Sequence, residues 1–569
     1  MNLASQAAAT VQRGKQAGSL ACCAVLLGLI LGAPQAAAQV KTPPDGEVRA
    51  AEPTLPQKPA LQEPVYVNLQ PDGRPAATDA PPGSPFYSIP IPLIFPTALD
   101  RPAQPGRPYI GILRTDEDWS FLKDPANRTE LWDPLKYIAL GKEDWYLSLG
   151  GETRQRYEIY HNFPFFPPPP PNDPSDDNGY YLMRYMLHGD LHLGQSVRLF
   201  AQLKNGIPID KSFVTGVDKD ELGVLQLFFE INSQLGETGI PFALRAGRQE
   251  FHYGVGRMLT IREGPNNRQG WDGLRGSVRL GGWQVEAFYA LHVKDGLWVF
   301  DDKTQDNEMI WGVYATTMLD FLPGSAIDVY YMGDAPKKEF FIEEGSFYFQ
   351  DFVLGPRDEI RHSVATRFFG GRGPVDWDME AILQGGRREG NQIWAYWLAI
   401  GGGYTVQELP ASPRFTLGLD FVSGDNNPRH GSLQTFRPIV FRGNYSGEAA
   451  FLQLSNVIKV HPGVDLHLRQ DMYVYLDFPN FWRMSRGDGL YSPGGFLVAP
   501  AFIPPPPIPN GQQVNDRYVG FQPSIQYTWQ ATQYLLFNVA YAHFFSGGFL
   551  DKAGRGDADF GSVWLTYKF

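Results

Sequence analysis

Arginine and carboxylate side chains recur at two-residue spacing along this chain. Glu152, Arg154, Arg156 and Glu158 make one such run, and Arg184, His188, Asp190 and His192 another. Arg198, Lys204, Arg245, Arg275, Arg361, Arg367, Asp378, Glu380, Arg414 and Asp420 continue the pattern further on. A guanidinium donates forked hydrogen bonds to a carboxylate, so these residues suit two kinds of chemistry: holding an acidic solute, or pairing with one another. His188 and His192 flank Asp190 in a spacing that mimics a metal site or a catalytic base. With no nucleophile beside them, hydrogen bonding is their expected role. His430 and Ser432 lie in a Gly- and Asn-rich loop and are expected to be solvated. There is no His-Glu-x-x-His, no Gly-x-Ser-x-Gly and no phosphate-cradling loop. Catalytic, cofactor and metal sites are therefore not expected.

The elements that carry these charges read as β-strands. From residue 144 onward apolar residues alternate with polar or small ones, the period of a strand with two different faces. Tyr181, Met183, Tyr185, Leu187, Leu191 and Leu193 share one face of such a segment, while Arg184, His188, Asp190 and His192 share the other. Similar segments begin near 144, 180, 196, 221, 241, 273, 282, 308, 325, 359, 375, 392, 413, 450, 463, 518, 532 and 559. Their number is even, as a closed bacterial barrel requires.

Connections between them run long, short, long, short. Short ones include Gly194-Gln195, 281–282, His461-Pro462 and Gln530-Ala531; long ones include 161–178, 252–272, 334–358, 425–449 and 478–517. An up-and-down membrane barrel sorts its connections this way, and a soluble sandwich has no reason to. Two proline runs, Pro167–Pro171 and Pro504–Pro507, fall in the long connections. The apolar faces, with aromatics such as Trp145, Trp283, Trp377 and Tyr567 near strand ends, suit lipid and its interfaces. The charged faces would be prohibitive in a dry core and are expected to line a water-filled lumen.

Composition agrees. The 569 residues include 61 Gly and 48 Pro, and 43% are hydrophobic, yet the mean hydropathy is −0.28. Apolar residues are abundant but diluted, with no run past residue 33 long enough for a membrane helix. Residues 1–38 read as a secretory signal peptide, with Arg13 and Lys15 ahead of an apolar stretch and Ala36-Ala37-Ala38 at its end. Both cysteines, Cys22 and Cys23, lie within it, and its removal takes the net charge from −12 to −14. That balance disfavours nucleic acid as a partner. Residues 39–114 form a Pro-rich arm, expected to be disordered in the periplasm and a possible docking segment for a periplasmic partner. Residues 115–143 are expected to form a short helical or looped element near the barrel entrance. The barrel itself spans 144–569 and ends on Val563, Leu565, Tyr567 and Phe569, one strand face closed by an aromatic. Such an end resembles the segment that the assembly machinery of outer-membrane proteins reads.

Two blocks carry a further pattern: RAGRQEFHYGVGRMLTIREGPNNRQGWDGLRGSVRL at 245–280, and DFVSGDNNPRHGSLQTFRPIVFRGNYSG at 420–447 followed by LQLSNVIKVHPGVDLHLRQD at 452–471. With YLSLGGETRQRYE (146–158) and LFAQLKNG (199–206), they resemble the alginate export family of outer-membrane barrels. The resemblance implies an all-β, transmembrane, up-and-down antiparallel barrel of 18 strands, with the loops 252–272 and 425–449 folded into or over the pore. It also implies an arginine-rich constriction that passes an anionic polyuronate. The residues expected to set selectivity are Arg154, Arg156, Arg184, Arg198, Arg248, Arg262, Arg268, Arg275 and Arg437, accompanied by Asp190, Glu152 and Glu263. The expected function is a channel in the bacterial outer membrane for export or diffusion of an anionic saccharide, a polyuronate or another small acidic solute. A general porin, a loop-based surface receptor and an outer-membrane hydrolase are the alternatives.

Overall fold

The computed structural model describes residues 113–162, 179–212, 214–336, 359–388, 390–427, 432–469, 471–493, 495, 497–499, 501 and 514–569. The signal peptide, the Pro-rich arm up to residue 112, His430 and both proline runs lie outside these residues.

Eighteen strands form one closed antiparallel barrel. They are β1 Trp145–His161, β2 Gly179–Leu193, β3 Val197–Ile209, β4 Asp220–Leu235, β5 Ile240–Gln249 and β6 Trp271–Leu280. Next come β7 Trp283–Lys294, β8 Lys303–Met318, β9 Ser325–Ala335, β10 Glu359–Arg372, β11 Val375–Arg388 and β12 Asn391–Thr405. The last six are β13 Arg414–Val422, β14 Val457–Arg469, β15 (Met472–Asp477 and Asn480–Arg483), β16 (Tyr518–Phe521 and Ser524–Gln530), β17 Leu535–Ser546 and β18 Ala558–Lys568. Each pairs with the next, and β18 closes on β1 from Glu152 opposite Lys568 to His161 opposite Asp559. Closure leaves no strand edge, so every ladder can be satisfied without water.

The two faces separate as the alternation predicts. Leu187, Leu274, Val364, Leu383 and Trp394 are exposed on the outer surface, while Arg154, Arg184, Glu230 and Asp378 are buried on the inner one. Short connections gather at one end of the barrel (194–196, 281–282, 373–374, 470–471) and the long ones at the other (250–270, 423–456, 484–517). Two connections sit at the limits of this sorting. The 236–239 link is a single tight turn, and 389–390 is the shortest of the long-loop end.

One expected turn is absent. His461-Pro462 lies inside β14, which runs on to Arg469, and the reversal occurs at 470–471. The strand also begins at Val457, not near 450. Proline there is tolerated because the neighbouring strands are interrupted at the same height. Phe478 N donates to Pro462 O (3.0 Å), Gln522 N to Pro479 O (2.9 Å) and His543 N to Pro523 O (3.1 Å). Three prolines on three consecutive strands thus form a seam in which each ring forgoes its own donor and its carbonyl still accepts.

The lumen is not simply water. The 250–270 and 423–456 loops turn inward and pack on each other, with Ile439 N donating to Met258 O at 2.9 Å. Phe251, Tyr253, Leu259, Trp397, Phe436, Phe451 and Phe544 share one buried apolar cluster within the barrel. The inner-face charges are therefore buried by the protein's own loops, where the sequence pattern suggested an aqueous lining.

Residues 113–143 fold as short 3₁₀ turns and one turn of helix, Asp133–Lys136, at the short-turn end. Arg114 fastens them, donating to Gly151 O (2.9 Å) and to Phe569 O (2.6 Å). Trp132 Nε1 donates to Tyr567 Oη at 2.7 Å. Tyr137 stacks on Tyr146, and Tyr146 on His192.

Candidate functional site: the charged lining of the barrel

Strand register places the inner-face charges in rows. Arg198 of β3 stands opposite Glu230 of β4, Glu230 opposite Arg245 of β5, and Arg245 opposite Arg275 of β6. Each guanidinium also has a local acid. Arg198 forks onto Asp190 (2.8 and 2.7 Å), Arg245 donates to Glu230 (2.7 Å) and Arg275 to Glu286 (2.7 Å). Arg245 additionally lies 3.9 Å over the ring of Phe228. Two like charges directly across a strand pair oppose folding unless compensated. The compensation includes Asp116 of the pre-barrel segment, whose carboxylate feels Arg275, Arg245 and Arg198. Burial nonetheless dominates there and raises the Asp116 carboxyl to about 6. Its neighbour Thr115 accepts a hydrogen bond from Arg198 Nη2 through its backbone oxygen at 2.9 Å.

A second cluster ties the wall to the inward 250–270 loop. Arg184 of β2 donates to Glu152 of β1 (2.9 Å) and to Glu263 of the loop. Arg154 donates to the backbone oxygens of Glu263 (2.9 Å) and Pro265 (2.8 Å), and Arg268 lies 3.0 Å from Glu250 and 3.1 Å from Glu263. Burial opposes ionisation of Glu263, but the charges of Arg184 and Arg268 outweigh it and hold its carboxyl below the ordinary range. Glu250 faces the opposite outcome: burial prevails over Arg268, and its carboxyl rises to about 7.

The remaining expected residues are distributed. Arg262 pairs with Asp295 (2.6 Å), which Lys204 also contacts (2.5 Å). Arg248 sits at the end of β5 in a forked pair with Asp272 (2.8 and 3.0 Å). Arg437 reaches Asp334 and Glu359 from the 423–456 loop. Arg156 pairs with Glu158 (2.5 Å) and Glu448 (3.6 Å) and lies 4.8 Å over Trp564. Thus Arg154, Arg184, Arg268, Glu152 and Glu263 converge, Arg198, Arg275 and Asp190 form the other group, and Arg156, Arg248, Arg262 and Arg437 stand apart from both. The His188, Asp190 and His192 trio does not converge: Asp190 contacts His192 (3.1 Å) and Arg198, whereas His188 stacks on Phe200.

Other members of the lining carried no signal in the strand pattern. Asp116 lies ahead of the barrel, and Asp295 and Asp302, both within reach of Lys204, lie in a loop. Arg257 donates from the inward loop to Asp378 (2.8 Å), Glu380 (2.5 Å) and Tyr445 Oη (2.9 Å), pinning that loop to β11.

A closed 18-stranded barrel with a lipid-facing apolar surface and charged, loop-filled interior is an outer-membrane channel of the bacterial envelope. The profile of the alginate export family matches residues 145–563, and the chain belongs to that family. The short-turn end is accordingly periplasmic and the long-loop end extracellular. Among solved structures, the chain is similar to OccK11 (OpdR) of Pseudomonas aeruginosa, with 11% identity and a TM-score of 0.46 over 76% of this chain and 99% of that one. It is also similar to OccD3 (OpdP) of the same organism, with 10% identity and a TM-score of 0.47 over 74% and 91%. OpdK of Pseudomonas aeruginosa, solved with vanillate, gives 10% identity and 0.47 over 74% and 98%. No curated protein matches the chain.

Proposed function

We propose that this channel conducts an acidic solute of the saccharide class, a uronate or polyuronate, across the outer membrane. The observation that carries the reading is the row Arg198, Arg245 and Arg275 on three of four adjacent strands, with Arg245 directly opposite Arg275. Guanidiniums set side by side in a low-dielectric wall create a local positive field that a passing carboxylate meets in fork geometry. Membership of the alginate export family agrees with it. Of the expected selectivity residues, Arg198 and Arg275 belong to this row, and Arg154, Arg184 and Arg268 supply positive charge beside Glu263 and Glu152.

Uptake of labelled glucuronate into proteoliposomes tests the reading. The full-length protein should admit glucuronate faster than glucose, and replacing both Arg245 and Arg275 by Gln should remove that preference. Equal rates for the two solutes in the unaltered protein would contradict it.

A further inference from the structure

The arginine row is covered from the short-turn end. Arg198, Arg245 and Arg275 are all buried, and part of what lies against them is the pre-barrel segment. Residues 114–117 reach the row as one firmly held turn. Arg114 anchors it, donating to Gly151 O of β1 (2.9 Å) and Phe569 O beyond β18 (2.6 Å) and pairing with Glu117. Glu117 in turn accepts from Trp119 Nε1 at 3.0 Å. Both outer charges of the turn are thus engaged in fastening it, and Thr115 and Asp116 between them are what it presents to the row. Thr115 O accepts from Arg198 Nη2 at 2.9 Å, on the guanidinium that also forks onto Asp190.

Asp116 differs from the acids of the wall itself. Asp190, Glu230 and Glu286 are buried, and each accepts directly from an arginine. Asp116 is half-buried, and its carboxylate accepts from Thr115 Oγ1 at 3.0 Å. It forms no ion pair among the described residues, although the charges of Arg275, Arg245 and Arg198 all act on it. A carboxylate in the field of three guanidiniums, in direct contact with none and with an edge left to solvent, stands where the carboxylate of an entering solute would stand. Its hold on the row is electrostatic and at a distance, whereas a free carboxylate forking onto a guanidinium gains direct charge-assisted hydrogen bonds. The advantage of Asp116 is its tether, which keeps it beside the row at a high effective concentration.

We propose that Asp116 is a specificity-determining residue of the channel: a tethered competitor for the arginine row, which an acidic solute displaces in order to bind there. The inference rests on the uronate reading above and adds to it that the chain carries its own counter-anion, held in place by Arg114. Arg114 is a positioning residue, since its contacts fix the turn and not the solute.

Block of the chloride current by glucuronate, measured in a planar bilayer on the full-length protein with glucose as the neutral probe, tests this. Asp116→Asn keeps the size of the side chain and its oxygen for Thr115 but removes the charge. Its half-blocking glucuronate concentration should fall by about fivefold, the upper end of what one partly exposed charge contributes. Asp116→Glu keeps the tethered charge and should stay close to the parent. Heat-dependent gel migration shows that each variant is folded. A half-blocking concentration that is unchanged or raised in Asp116→Asn, with the parent still blocked by glucuronate, would overturn this inference and leave the uronate reading standing. So would an equal fall in Asp116→Glu, which would assign the effect to packing of the turn. A parent that glucuronate does not block, or that glucose blocks equally, would count against the uronate reading itself, and this inference would fall with it.

Discussion

Arg245 and Arg275 stand directly opposite each other on neighbouring strands of the inner wall, two guanidiniums in one register row. Their acids, Glu230 and Glu286, lie on the outer flanks of the pair, with Glu230 also 3.8 Å from Arg198. The row therefore concentrates positive charge between two strands even though each arginine is individually paired. Asp116 reaches the same place from ahead of the barrel.

Replacing Arg275 by Gln should lower anion preference. Arg245 keeps Glu230, so the strand pairing persists, while the guanidinium pair that marks the row is lost. The permeability ratio of chloride to potassium should fall by about threefold, which corresponds to less than 1 kcal/mol. Single-channel recording of the variant beside the parent measures it.

The inward 250–270 loop depends on Arg257. Its guanidinium meets Asp378, Glu380 and Tyr445, and truncation to Ala would leave two buried carboxylates short of a partner. Breaking such a buried pair typically costs about 3–5 kcal/mol. The expected outcome is a barrel that still forms but whose loop is cut by protease added outside, with a larger conductance than the parent. Limited proteolysis of intact cells and bilayer recording read the two effects.

Docking of the pre-barrel segment should weaken as pH rises from about 4 to about 6. Burial raises the Asp116 carboxyl from 3.8 to about 6, so the docked form holds a proton that the undocked form has already released across that window. The contribution is fully present below pH 4 and is gone above 6. Packing of the inward 250–270 loop should weaken with the same sign as pH rises from Glu250's ordinary value of 4.5 to about 7. Hydrogen exchange of residues 113–123 should accordingly be slower at pH 4.5 than at pH 7 after correction for the intrinsic rate. Asp116→Asn should flatten that dependence.

Leu187, near the middle of β2 and 55% exposed on the outer face, tests the lipid-facing surface. Arginine at such a depth costs about 2–4 kcal/mol in a membrane barrel. Leu187→Arg should lower the denaturant midpoint for refolding into vesicles by a corresponding amount. An unchanged midpoint would place that face against water.

The barrel was legible because its period-two pattern is local. Tyr185 and Leu187 on one face and Arg184 and His188 on the other announce a strand without knowledge of anything distant. The His461-Pro462 site misled for a related reason. Proline followed by Gly463 has the local chemistry of a turn, and only Pro479 and Pro523 on the two following strands make an uninterrupted strand tolerable there. The interior was least legible. Arg257 finds Asp378 more than a hundred residues away, and Asp116 finds its arginines across an entire closed sheet, so no spacing in the sequence encodes either contact. The expected arginines could be named as inward-facing, but not sorted into the Glu263 cluster and the Arg198–Arg245–Arg275 row, because that sorting depends on strand register and loop insertion.

The reversal potential of the full-length protein in a planar bilayer, recorded under a tenfold potassium chloride gradient, tests anion passage most directly. The Arg198, Arg245 and Arg275 row predicts a potential on the chloride side of zero, moving toward zero in Arg275→Gln. A potential on the potassium side in the unaltered protein would contradict the account.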